Sequence, residues 1–140
     1  MILGIIGSRK FGATKDPDLQ IWVTSKEHRK MITDHLDEIK KLKQIDEVVS
    51  GGAKGPDSHG ELWARANGIK CKIYVPRTWE HDFETAAFLR NTKIAERLDI
   101  LISFWDGKSR GTLDTMKKAL DLGKKVYVCN LEGELARWKG

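Results

Sequence analysis

Three glycine-bearing loops hold most of the residues in this sequence that could do chemistry. The first, Gly7-Ser8-Arg9-Lys10-Phe11, joins a glycine that permits a tight exit to a hydroxyl and a guanidinium. The planar fork of an arginine matches phosphate. The second, Ser50-Gly51-Gly52-Ala53-Lys54-Gly55-Pro56-Asp57, has three glycines at which backbone can approach a ligand closely. Its Pro56 suits the first turn of a helix, whose free amides would face an anion. The third, Trp105-Asp106-Gly107-Lys108-Ser109-Arg110-Gly111-Thr112, repeats the arrangement, with cations and small residues ahead of another helix start. Neither the G-x-G-x-x-G nor the Walker A spacing occurs. Each loop also has a plainer reading. These are a generic turn with solvated Arg9 and Lys10, a strand-to-helix turn with Asp57 complementing the helix dipole, and a solvated loop capped by Thr112.

Arg90 stands out for a different reason. Phe83, Ala87 and Ile94 mark the apolar stripe of a helix, and Arg90 falls on that stripe. Burying an unpaired guanidinium is costly, so the sequence demands a partner, either a protein carboxylate or an anionic ligand. Asn91 beside it is equally unusual on a half-buried face. Trp79 and Trp105 follow strand ends, where an indole would either stack on a base or ribose or pack in the core. The four histidines form no H-x-x-x-H pair and no combination with Cys71 or Cys129 at metal spacing, so no metal is expected, nor any cofactor. His28 and His35 read as surface residues, and the two cysteines as buried thiols. No nucleophile elbow or Ser-His-Asp set is present.

The elements that must position these groups alternate along the chain. Short aliphatic runs at Ile2–Ile6, Glu47–Ser50, Lys72–Val75, Ile100–Phe104 and Lys125–Cys129 read as strands. Helical periods lie between them. The first helix is predicted from Ser25, with Thr24 and Glu27 at capping-box spacing and Ile32, Leu36, Ile39 and Leu42 on one face. Others are expected over Pro56–Asn67, Asp82–Arg97 and Thr112–Leu122, the second and fourth closed by Gly68 and Gly123. Strands apolar on both faces imply a parallel sheet covered by helices on both sides. The expected fold is therefore α/β, a single Rossmann-like three-layer domain over residues 1–140 with a five-stranded parallel sheet in order 3-2-1-4-5. Residues 12–24 form a long connection, and residues 131–140 a tail whose Leu135 and Trp138 could dock on the body. In such a sheet ligands bind beyond the carboxyl ends of the strands where the order reverses, here between the first and fourth strands. The three loops meet there.

Composition narrows the partners. The chain of 140 residues is 40% hydrophobic and 32% charged, as expected of a globular protein. No apolar run approaches the ~20 residues of a membrane span. Two cysteines and an opening without a basic n-region lead us to expect a cytoplasmic protein with no secretory leader. The 25 Lys and Arg exceed the 20 Asp and Glu, a net charge of +5 that suggests anionic ligands without choosing among them. Much of this charge, as at Lys40, Lys41, Lys43, Lys117 and Lys118, decorates exposed helix surfaces. A smaller group, Arg9, Lys54, Arg90, Lys108 and Arg110, maps to the mouth of the sheet and argues for a small phosphorylated ligand.

Taken in order, the loops resemble the SLOG superfamily, the Rossmann-like group that contains the Smf/DprA proteins and the LOG phosphoribohydrolases. The best match is its YspA/YpsA-related branch of small stand-alone proteins. The resemblance runs through Gly7-Ser8-Arg9, Val49-Ser50-Gly51-Gly52-Ala53-Lys54-Gly55-Pro56-Asp57, Pro76 with Trp79, Arg90-Asn91, Asp99 with Phe104-Trp105-Asp106-Gly107, and Ser109-Arg110-Gly111-Thr112. It implies a nucleotide pocket and self-association, for which Phe88 on the third helix is available. In LOG-type enzymes an arginine ahead of the fourth strand belongs to the active site, and Arg90 stands in the matching place. Their motif P-G-G-x-G-T-x-x-E ends in a functional glutamate. Gly111-Thr112 match its G-T, but Thr115 occupies the glutamate position and Asp114 lies one residue early, turned by about 100°.

Three functions follow as expectations. The first is binding or sensing of a nucleotide or nucleotide-derived phosphorylated ligand, held by the amides of Gly51–Gly55 and Gly111–Thr112 with Arg9 and Arg110. The second is hydrolysis of the N-glycosidic bond of a nucleoside 5′-monophosphate, with Arg90 on the ribose phosphate and Asp57, Asp106 or Asp114 supplying the carboxylate. The third is binding of single-stranded DNA, as in the DprA proteins. The scattered basic residues favour it less.

Overall fold

Five parallel strands stand in the order the apolar runs predict. The computed structural model describes residues 1–140, and its elements run β1 (Ile2–Gly7), β2 (Ala13–Lys15), β3 (Trp22–Thr24), α1 (Lys26–Leu42), β4 (Glu47–Ser50), α2 (Pro56–Ala66), β5 (Lys70–Ile73), α3 (Phe83–Arg97), β6 (Ile100–Phe104), α4 (Arg110–Asp121), β7 (Lys125–Cys129) and β8 (Leu135–Arg137). The main sheet is ordered β5-β4-β1-β6-β7-β8. Its first five members are parallel, and β8 adds antiparallel to β7, pairing Leu135 with Cys129 and Arg137 with Tyr127. The predicted five-stranded sheet is thus one strand short. Its missing member lies in the tail, where Trp138 also packs against the core and donates its amide to the Val126 carbonyl at 2.8 Å. The long connection holds a separate antiparallel pair, β2 with β3.

The strands are buried on both faces because two apolar layers need them. On one face Leu3, Ile5, Val48, Ile102 and Phe104 meet Ile32 and Leu36 of α1 and Trp63 and Ala64 of α2. On the other, Ile6, Val49, Leu101 and Val126 meet Ile94 and Ala95 of α3 and Met116 and Ala119 of α4. Helices on both sides of a parallel sheet make three layers. No helix is long and apolar enough to cross a membrane.

Several boundaries differ from the sequence expectation. The third parallel strand is Lys70–Ile73 rather than Lys72–Val75, because Cys71 and Ile73 pair with Val48 and Ser50 and the chain then turns away, leaving Val75 exposed. Helix α1 is capped by Ser25, whose hydroxyl accepts from the His28 amide at 3.1 Å, so Thr24 and Glu27 form no capping box. Helix α4 begins at Arg110, two residues early, and Ser109 rather than Thr112 caps it. The histidines of α1 are also not free surface groups. His28 Nε2 lies 3.0 Å from the Leu131 carbonyl and His35 Nε2 lies 2.9 Å from that of Gly133, so both hold the turn that leads into β8.

Candidate functional site

The carboxyl ends of β1, β4 and β6 open onto a cleft of about 540 Å³. The loops after these three strands form its floor, and α3 with the start of α4 forms its walls. This is the reversal point of the sheet, since β1 has β4 on one side and β6 on the other.

Asp57 organises the floor. It sits in the first turn of α2 and is only 4% exposed. One carboxylate oxygen accepts from the Gly7 amide at 2.9 Å and the other from the Gly51 amide at 3.0 Å. The loops after β1 and β4 are therefore fastened by a single side chain, and the Gly51 amide expected to hold an external anion instead joins the Gly7 amide in holding this internal one. Burial pushes the Asp57 carboxyl up to about 6, against the opposing pull of the two amides and of Arg90. Gly7 itself leaves no room for a side chain, because a Cβ would stand 2.5 Å from Pro56.

A second clasp joins the loops after β1 and β6. Ser8 Oγ donates to Asp106 Oδ1 and accepts from the Asp106 amide, and Asp106 also accepts from the amides of Lys108 and Ser109 at 2.9 Å. Although burial raises the Asp106 carboxyl, these donors together hold it below its ordinary value. Trp105 does not line the cleft: its indole N–H donates to the Ser109 carbonyl at 3.0 Å, and its ring packs on the core.

Arg90 has partners of a kind the sequence did not suggest. Its Nη1 donates to the Gly51 carbonyl at 2.7 Å and, at 3.4 Å, to that of Tyr74, while Nε donates to Asn91 Oδ1 at 2.8 Å. No carboxylate lies within ion-pairing distance. Burial lowers the pKa of the guanidinium, and the nearby charge of Asp57 opposes that. Its Nη2 makes no hydrogen bond within the protein. Asn91, 4% exposed, passes the network on to Asp114 Oδ2 at 3.0 Å and the Gly111 carbonyl at 3.3 Å.

Of the residues singled out in the sequence, the cleft brings together Gly7, Ser8, Arg9, Gly51, Ala53, Asp57, Arg90, Asn91, Ser109, Gly111 and Thr112. It does not include Ser50, Gly52, Gly55, Arg110 or Asp114 among its lining residues. Ser50 is wholly buried beneath it, and Asp114 is paired with Lys118 at 2.9 Å on the far side of Asn91. Thr115, at the family's glutamate position, does line the cleft and donates to the Gly111 carbonyl at 3.3 Å. Trp79 lies elsewhere, 69% exposed beside Arg77, on a second cavity of about 570 Å³ that shares Arg90 as a wall. Sequence reasoning missed Lys10 and Phe83 as lining residues. The position of Lys10 next to Arg9 was its one signal. Phe83 falls by its spacing on the apolar stripe of α3, yet it is 61% exposed.

Four cationic side chains, Arg9, Lys10, Arg90 and Lys108, thus face two carboxylates, Asp57 and Asp106, both already bonded to backbone amides. The amides of Arg110 and Gly111, in the first turn of α4, donate to nothing in the protein. Such a helix start attracts anions.

Comparison with known proteins bears on the family and the fold. The sequence matches the YspA, cpYpsA-related SLOG family over residues 6–81, more than half of the chain and the part that carries two of the three loops. The chain belongs to this SLOG family. No curated protein sequence matches it. Among solved structures, the SLOG chain is similar to DNA processing protein A (DprA) from Streptococcus pneumoniae, with a TM-score of 0.65 at 20% identity. The likeness covers 91% of this chain and 49% of that one, so the SLOG chain spans about half the length of its structural neighbour. At that identity the similarity is one of fold.

Proposed function

We propose that the protein binds or senses a nucleotide or nucleotide-derived phosphorylated ligand in the cleft at the carboxyl ends of β1, β4 and β6. One observation carries this reading: four cations and the unengaged Gly111 amide at the start of α4 converge on a cleft in which both oxygens of Asp57, and one of Asp106, are already bonded to backbone amides. The phosphate is placed against Gly111, Thr112 and Arg90, with Arg9, Lys10 and Lys108 at the rim. Membership of a SLOG family supports a nucleotide as the ligand class. Calorimetry of the full chain against mononucleotides, cyclic nucleotides and ADP-ribose-type ligands tests it. Saturable binding that weakens in Arg90→Ala supports the reading, and absence of binding to all three classes overturns it.

A hydrolytic reading rests on Asp57, a buried carboxyl with its pKa near 6 in the same cleft as Arg90. As a phosphoribohydrolase the protein would release free base from a nucleoside 5′-monophosphate, which chromatography detects. Against that role, both Asp57 oxygens are engaged by amides. Single-stranded DNA binding draws on the fold shared with DprA. It predicts an affinity that falls steeply with salt. Self-association belongs to the same proposal, with exposed Phe88 on α3 as its contact.

A further inference from the structure

The cleft has a polar end and an apolar end, and α3 carries both. Phe83, Ala87, Arg90, Asn91 and Ile94 all line it, at the spacing of one helix face. Exposure falls along that face from 61% at Phe83 to 1% at Ile94, so Phe83 marks the mouth and Ile94 the floor. Seven residues separate Phe83 from Arg90, about 10 Å along a helix axis. That is comparable with the reach of one nucleoside monophosphate from base to phosphate.

Nothing in the local structure asks for an aromatic residue at Phe83. It is the first residue of α3, and the cap is made by Asp82, which accepts from the Thr85 amide at 2.9 Å and the Thr85 hydroxyl. The ring belongs to neither core layer. It is also the one aromatic side chain lining a cleft that holds four cationic side chains. An exposed ring beside cations, one nucleotide length from a guanidinium, matches a ligand that is flat and aromatic at one end and anionic at the other.

We infer that Phe83, backed by Ala87 one turn later, is the platform on which the nucleobase stacks, and that the ligand enters phosphate first with its base at the mouth. The inference rests on the proposed nucleotide site and adds the ligand's orientation and its base contact. Stacking accepts any base, so the site discriminates little among bases and strongly between a nucleotide and a bare sugar phosphate.

Titration calorimetry of the full chain with adenosine 5′-monophosphate, uridine 5′-monophosphate and ribose 5-phosphate tests this. Stacking one base corresponds to roughly a 5- to 150-fold gain in affinity. The wild type is expected to bind both nucleotides more tightly than ribose 5-phosphate by a factor in that range. Phe83→Ala should remove this ratio while leaving the ribose 5-phosphate affinity unchanged, and Phe83→Trp should restore it. Because the ring is exposed, an unchanged melting temperature will show that Phe83→Ala is folded. If the nucleotide-to-sugar ratio survives in Phe83→Ala, the base lies elsewhere and this inference alone fails. If the wild type binds none of the three probes, the phosphate site fails with it.

Discussion

Ser8 and Asp106, 98 residues apart in the chain, exchange two hydrogen bonds: the serine hydroxyl donates to the carboxylate at 3.0 Å and accepts from the aspartate amide at 3.1 Å. This reciprocal pair fixes the loop after β1 against the loop after β6, two of the three loops that form the floor of the cleft. Ser8→Ala loses both bonds at a position 1% exposed. The expected cost is about 1–3 kcal/mol of stability, read by urea denaturation, with nucleotide affinity falling as the loops separate.

Gly51 and Gly111 look alike in the sequence but should respond oppositely to alanine. A Cβ on Gly51 would stand 2.6 Å from Arg90 Nη1 and 3.0 Å from Asp57 Oδ2, so Gly51→Ala must displace the guanidinium. Both stability and ligand affinity are expected to drop. Gly111 has open space around its Cβ position and lies within α4. Gly111→Ala should raise stability by up to about 1 kcal/mol, the usual helix gain. If phosphate packs on that backbone, its affinity falls in the same variant, so a melt and a titration will move in opposite directions.

Asp57 gives stability a distinctive pH dependence. Its folded pKa of about 6 lies above the ordinary carboxylate value of 3.8, so the native state keeps a proton the unfolded chain has released. Its contribution is fully present below pH ~4 and is lost as pH rises through ~6, a loss of about 3 kcal/mol. Glu47 acts in the opposite sense and in a lower window. Arg97 and Lys70 hold it below its ordinary 4.5, so its contribution is lost only on acidification beneath that value. Denaturation midpoints measured from pH 4 to 7 should decline in the wild type and flatten in Asp57→Asn. That variant should also be less stable throughout the range, because an amide has one oxygen for two backbone donors.

The C-terminal turn depends on α1. Removing both imidazoles in His28→Ala/His35→Ala frees the Leu131 and Gly133 carbonyls, each bond contributing on the order of 1 kcal/mol. Hydrogen exchange should accelerate at β8 and leave β1 protected. Equal acceleration at both would show that the turn is not held locally.

The parallel sheet was readable because each central strand must be apolar on both faces, which concentrates Val, Leu and Ile into short runs whatever the ligand. β8 gave no such signal. Leu135, Ala136 and Arg137 are all exposed, and what makes them a strand is pairing with β7 rather than burial. The same limit explains Arg90. Its place on the α3 stripe could be counted out in residues, but two of its three acceptors are the backbone carbonyls of Gly51 and Tyr74, which are present in every sequence and so mark none. Phe83 shows the converse error: helical period tells which residues share a face, not how far along that face the neighbouring layer extends.

The two margins of the main sheet also bear on how copies of this chain can meet. On one side β8 is three residues long; on the other, β5 is four residues long and carries exposed Lys70 and Lys72. Short margins, one of them lysine-bearing, are poor templates for strand addition. The sheet is therefore protected from growing through a neighbour. A stable encounter between copies is left to helix surfaces, where side chains rather than backbone decide who pairs with whom.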